Sequence, residues 1–266
     1  MGHVSIEGLC KDYVERRRRP PGYFGQPLAP GDGSLGVLKD VDLEVEDGEL
    51  VCILGPSGCG KSTMLRIVAG FEAASAGRVR IDDEPVDGPS PHHIFVFQHS
   101  GLLPWMTVRE NAALGVRRMC DRDLAERRVQ EQIDMVELTG FEDHYPHQLS
   151  GGMQRRAELA RALVVNPEIL FMDEPFAGLD YLTRLKLREE IVNMHALLQK
   201  TILFVTHDID EALVMADRIV VFSDRPARIR LSEHLAIPHP RDFSKSQELT
   251  EFRKGLYRLL EVNFAV

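Results

Sequence analysis

The chain has 266 residues, 44% of them apolar and 27% charged, which suits one large α/β domain with a helical insertion and is a tight fit for two independent domains. A formal net charge of −9 argues against a general affinity for nucleic acid. No apolar run reaches the roughly eighteen residues of a membrane span, and the first residues lack a basic flank followed by an apolar stretch, so the expectation is a cytosolic chain that meets a membrane only through partners.

In chain order, "HVSIEGLCKDYV" alternates as a strand, and "GVLKDVDLEVEDGE" reads as a second one closed by a turn at Asp47-Gly48. Between them, residues 15–36 are rich in Arg, Pro and Gly, including Arg16 to Arg19, and read as a long surface loop. Three apolar runs, "LVCILG" (50–55), "EILFMD" (168–173) and "TILFVTH" (201–207), look like strands buried on both faces of a parallel sheet, with "RIVVFS" (218–223) a fourth. The first three end in glycine or a polar residue, and in such sheets the carboxyl ends of the strands face the ligand crevice. Between the first two, Leu124, Val129, Ile133 and Val136 share one helical face, and Met153, Ala157, Ala160 and Val164 share another. This predicts a helical lobe. Leu249, Phe252, Leu256 and Leu259 predict a C-terminal helix packed on the main domain. Four cysteines, Cys10, Cys52, Cys59 and Cys120, form no C-x-x-C pair, the pattern of reduced thiols rather than of a disulfide frame or zinc site.

"GPSGCGKST" (Gly55, Pro56, Ser57, Gly58, Cys59, Gly60, Lys61, Ser62, Thr63) matches G-x-x-x-x-G-K-[ST] between an apolar strand and a helical pattern, the setting that a phosphate-binding loop requires. Its glycines admit backbone N–H groups to the phosphates, Lys61 reaches the β and γ phosphates, and Ser62 can ligate Mg²⁺. "ILFMDE" delivers Asp173, suited to a magnesium shell directly or through water, and Glu174, one residue further out, where it can polarise an attacking water. This strand is expected to neighbour the one feeding the phosphate loop. Modification of Cys59 would crowd the phosphates, so the loop is expected to be thiol-sensitive. No N-K-x-D guanine-reading sequence is present, and these elements alone leave the kind of nucleotide hydrolase open.

A second glycine loop, "LSGGMQ" (149–154), lacks a lysine. Serine and two glycines at a helix N-terminus make an anion site. With this loop, from Val4 to about Val262, the chain resembles the ATP-binding subunit of ABC transporters. The resemblance implies a P-loop fold with a mostly parallel core sheet, an antiparallel β subdomain and a helical subdomain bearing "LSGGMQ". It implies ATP and Mg²⁺ as cofactors and a second ATPase subunit, so that Ser150, Gly151, Gly152 and Gln154 contact an ATP held by the facing copy. By the same resemblance Tyr13 stacks on adenine, Gln98 couples Mg²⁺ and water to the helical lobe, Asp180 in "AGLD" forms the D-loop, and His207 in "FVTHD" is the switch histidine.

The matching boundaries are residues 1–98 and 166–240 for the nucleotide-binding core, 99–165 for the helical subdomain and 241–266 for a C-terminal helical extension. "GLLPWMTVREN", "SDRPARI" and the ending are similar to the nitrate, sulfonate and taurine importer branch, which implies separate transmembrane permease subunits docking near Trp105 and, indirectly, a substrate-binding protein. "FAGLD" departs from the more usual "FGALD". The alternatives are an ABC lipid-transport ATPase and a non-transport ABC ATPase. A chromosome or DNA-repair type would require a long coiled coil between Lys61 and Ser150, which the short spacing leaves no room for.

Overall fold

Alternate residues of the central strands are buried in two different cores, which explains why those stretches are continuously apolar. In β3 (Leu50–Leu54) all five residues are buried; Leu50, Cys52 and Leu54 join one apolar cluster, while Val51 and Ile53 join the other. β7 (Ile169–Asp173), β8 (Thr201–Val205) and β9 (Arg218–Phe222) divide in the same way. A sheet covered on both faces has no solvent side to encode.

The computed structural model describes residues 2–14, 34–98, 101–117 and 121–260. Arg16 to Arg19, most of the expected loop and Cys120 lie outside them. The remaining strands are β1 (Val4–Val14), β2 (Ser34–Val45), β4 (Ala76–Ile81), β5 (Glu84–Pro85), β6 (His93–Val96) and β10 (Ile229–His234). The helices are α1 (Lys61–Val68), α2 (Val108–Ala113), α3 (Arg122–Met135), α4 (Gly151–Leu163), α5 (Tyr181–Leu198), α6 (Ile209–Met215) and α7 (Gln247–Leu259).

Two sheets form. One is antiparallel, in the order β2-β1-β4-β5; the other runs β10-β9-β3-β8-β7-β6, with only β10 antiparallel to its neighbour. The expected adjacency of the phosphate-loop strand and the Asp173 strand is corrected here. β8 lies between β3 and β7, because the chain crosses over before adding the middle strand. The carboxyl ends of β3, β8, β7 and β6 therefore deliver, side by side, Gly55, Thr206-His207, Asp173-Glu174 and Phe97-Gln98.

The helical lobe is α2, α3 and α4. Asp121 starts α3 by accepting Leu124 N–H at 2.9 Å, and Thr107 and Glu110 form a reciprocal cap on α2, satisfying N–H groups that the helices themselves leave free. Val129, Ile133, Ala157 and Ala160 are buried, yet they belong to the same cluster as Leu50 and Met172. The lobe thus shares its core with the sheet. At the other end, Leu249 and Leu256 of α7 enter that cluster too, and Arg253 pairs with Asp210 of α6 at 2.7 Å. Arg241, 8% exposed, donates to the carbonyls of Leu213 and Ile237 at 3.0 and 2.7 Å and to that of Ala216, so the C-terminal segment is anchored where it begins.

Candidate ATP site

The phosphate loop leaves β3 at Gly55 and enters α1 at Lys61, capped by Gly60 at φ 126° with no side-chain cap. An L-residue rarely adopts that φ, and a Cβ at Gly60 would stand 2.8 Å from Val37 Cγ1. The first turn of α1 has no acidic residue, which leaves its N–H groups and positive end for an anion. Lys61, 5% exposed, donates to the carbonyls of Gly55 at 2.7 Å and Pro56 at 3.0 Å. It holds the loop in the shape that a phosphate chain would engage.

Ser62 Oγ donates to Asp173 Oδ1 at 2.8 Å, across the gap from α1 to β7. Asp173 is fully buried, and its other oxygen has no hydrogen-bond partner among the described residues. Burial pushes its carboxyl pKa up, partly offset by Ser62 and by the charges of Arg66 and Lys61. A buried carboxylate oxygen without a partner, beside a hydroxyl, is a pair of hard oxygen donors that fits Mg²⁺.

Glu174 follows at φ 48°, a conformation uncommon outside glycine, pinned by its N–H to the Val205 carbonyl at 2.9 Å. Its Oε2 accepts from Gln98 Nε2 at 3.3 Å and lies 3.4 Å from His207 Nδ1. Gln98 and His207, 76 and 33 positions from Glu174 in sequence, thus converge on one carboxylate. The side chain of His207 is 66% exposed, so it faces the open side of the site. Behind it, Thr206 donates to buried Glu211 at 2.7 Å, and the Asp208 N–H donates back to Thr206 at 3.0 Å, fixing the turn after β8.

Between these groups lies a cavity of about 580 Å³, lined by Tyr13, Leu35, Val37, Ser57, Gly58, Lys61, Ser62, Thr63, Gln98, Glu174, His207 and Arg225 among others. That volume suits a nucleotide. Tyr13 is 40% exposed, with Lys11 Nζ 4.9 Å from its ring centroid. Sequence reading missed Leu35, Val37 and Arg225; the guanidinium of Arg225 donates to the Gly58 carbonyl, although "SDRPARI" offered only a basic residue near a strand end as a signal.

Cys59 departs from the expected reactivity. It is 2% exposed, and burial raises its thiol pKa despite nearby Lys61, so less thiolate forms at neutral pH. Alkylation at pH 7.5 is expected to label Cys59 at least about tenfold more slowly than a free thiol, with ATP turnover preserved meanwhile. Mass spectrometry of the labelled chain checks this.

None of Leu149 to Gln154 lines the cavity, and neither does Asp180. Ser150 caps α4 by accepting the Met153 N–H at 3.3 Å. Among the described residues a Cβ on Gly151 would meet nothing beyond its own helix within 4 Å, and one on Gly152 only Leu179 Cδ2 at 3.7 Å. Packing within the chain thus does not require either glycine. Gln154 donates to the carbonyls of Pro146 at 2.8 Å and Leu149 at 3.3 Å, and so braces the loop. Asp180 caps α5 by accepting the Thr183 N–H at 3.0 Å.

A family model described as ABC transporter matches residues 38–177, more than half of the chain. The chain belongs to the ABC transporter family. As an ABC cassette it is an ATP-binding, ATP-hydrolysing protein. It is 38% identical to the aliphatic sulfonates import ATP-binding protein SsuB of Bacillus cereus, over 97% of this chain and 96% of that one. It is 40% identical to the nitrate import ATP-binding protein NrtD of Synechococcus elongatus, over 90% and 88% respectively. A dimeric structure of a post-hydrolysis state of the ATP-binding cassette MJ0796, bound to ADP and Pi, superposes on this ABC cassette with a TM-score of 0.75 and 31% identity, covering 88% of this chain and all of that one.

Proposed function

We propose that the chain is the ATP-hydrolysing subunit of an importer for small anions such as nitrate, sulfonates or taurine, and that it works as a head-to-tail dimer closed by ATP. The observation that carries the catalytic part is the meeting of Gln98 and His207 at the Glu174 carboxylate, on the rim of the cavity that holds Lys61 and Ser62. Glu174 takes a proton from the attacking water, His207 faces the γ phosphate, and Lys61 exchanges the Gly55 and Pro56 carbonyls for phosphate oxygens. Ser62 and Asp173 would hold Mg²⁺, which when bound supplies charge neutralisation at the phosphates. Tyr13 stacks on the base.

The glycine loop supports the dimer. Ser150 and Gly151 at the start of α4 are exposed and lie outside the chain's own cavity, so the phosphate that fits them belongs to a second copy. ATP then binds the two chains together, and its hydrolysis releases them.

The import reading rests on the relatives and on exposed aromatic side chains. Trp105 is 68% exposed and Phe71 49%, and Phe71 packs edge-on against Phe95 and Phe97 at 5.4 and 5.5 Å. A tryptophan that exposed is not a packing anchor of its own chain; it suits a permease segment. Among the described residues no helix is long and apolar enough to cross a membrane, so the conduit is assigned to other chains. Trp105→Ala is expected to weaken co-purification with a multispanning permease by about tenfold or more while leaving ATP binding unchanged. Recovery of lipid-carrier proteins in place of a permease and an anion-binding protein would reject the import reading.

A further inference from the structure

α4 carries the Ser150 loop at its start and a buried guanidinium in its second turn. Arg155 is 4% exposed. Its Nε donates to the Pro175 carbonyl at 2.6 Å, and its Nη2 to those of Glu174 at 3.1 Å and Asp173 at 3.4 Å. Its Nη1 donates to Glu158 Oε2 at 2.6 Å and to the Phe97 carbonyl. All five N–H groups of the guanidinium therefore have an acceptor. Glu158, itself 2% exposed, accepts the Gly101 N–H at 3.2 Å, and Arg161 donates to the Gly101 carbonyl at 2.8 Å.

These contacts have a common geometry. Phe97 and Gly101 bracket the segment that carries Gln98, and residues 173–175 bracket Glu174. Both segments hang from one helix. Four of the acceptors on Arg155 are backbone carbonyls, so the guanidinium sets where the loops lie rather than what they bear. The Gln98–Glu174 and His207–Glu174 contacts, at 3.3 and 3.4 Å, sit near the upper limit of hydrogen-bond length. A shift of either loop by a fraction of an ångström would break them.

We propose that Arg155, braced by Glu158, is a positioning residue for hydrolysis that links the Ser150 loop to Gln98 and Glu174 of the same chain. Engagement of Ser150–Gly152 by the facing copy's ATP fixes the start of α4, and Arg155 carries that constraint to the residues serving the chain's own ATP. The two sites of the dimer are thereby coupled through a rigid, fully hydrogen-bonded element rather than through a mobile loop. The proposal rests on the reading above in which Gln98 and Glu174 act on the ATP bound by their own chain.

The test uses the full chain with Arg155→Lys, which keeps the charge but not the fork, and with the double change Arg155→Met/Glu158→Met, which removes the buried pair and leaves Arg161, 3.9 Å from Glu158, with its hydrogen bond to the Gly101 carbonyl. Expected are a fall in kcat of about 10²-fold, the scale of an ångström misplacement, and loss of cooperativity in ATP concentration. ATP affinity of the monomer, measured by equilibrium binding, stays within about twofold, because none of these hydrogen bonds of Arg155 goes to residues 55–63 of the phosphate loop. A kcat within about threefold of the parent in both variants, or kcat and ATP affinity falling together in proportion, overturns the proposal. Glu174→Gln run beside them separates the two readings: full turnover in that variant removes the catalytic assignment itself, whereas its loss with normal turnover in the Arg155 variants rejects Arg155 alone.

Discussion

Glu174→Gln is expected to lower ATP turnover by about 10²–10⁴-fold, the usual contribution of a general base, while the monomer binds ATP as before. The amide has the same shape as the carboxylate and still accepts from Gln98, so the 3.3 Å contact can persist. The backbone at φ 48° is also retained; what is lost is the capacity to take a proton. Lys61, Ser62, Thr63 and Tyr13, which line the cavity, are untouched, and so is the affinity they provide. An ATP that bridges two chains and is not consumed keeps them together, so the variant is expected to accumulate as a dimer in ATP, seen by size-exclusion chromatography or light scattering. Turnover at the parental rate would place the base elsewhere.

The residues in this argument differ in how readable they were. The phosphate loop and "ILFMDE" carry their chemistry in local sequence, because each is a strand end followed by a turn whose residue types the phosphate or metal dictates. Gln98 and His207 were singled out only through resemblance, and their meeting at Glu174 is seen only in the structure, since nothing in their spacing fixes which strands are neighbours; the strand order placing β8 between β3 and β7 is a property of the crossovers. β4 and β10 escaped notice because their residues are mostly exposed or half-buried, with burial patterns that do not alternate cleanly. β6 has only four residues. Arg155 and Glu158 were hidden in a charged-looking helix. Their signal was weak but present: with Leu159 and Ala162, both buried, they lie along one helical face, and an i, i+3 charge pair on a face otherwise apolar marks a buried pair rather than a solvated one.

Gly151→Leu is expected to abolish ATP-driven dimerisation and reduce turnover by on the order of 10²-fold or more, the cost of losing a preorganised phosphate contact, without harming the fold. Among the described residues a Cβ there meets no atom within 4 Å outside its chain neighbours and its own helix backbone, and leucine is the better helix former, so the free monomer should be at least as stable as the parent. Thermal unfolding and monomer ATP binding check that half of the expectation. Loss of monomer ATP binding would mean that the loop serves the chain's own nucleotide. The other half is decided by mixing. Lys61→Ala removes the ammonium from a chain's own site but keeps its glycine loop, whereas Gly151→Leu does the reverse. In a mixed dimer one site pairs an intact Lys61 with an intact Gly151, and the other site carries both defects. Two inactive proteins are therefore expected to recover turnover when combined, and a chain carrying both changes is not expected to rescue either parent. If the mixture stays inactive while mixed dimers form, the second glycine loop does not complete the facing subunit's ATP site.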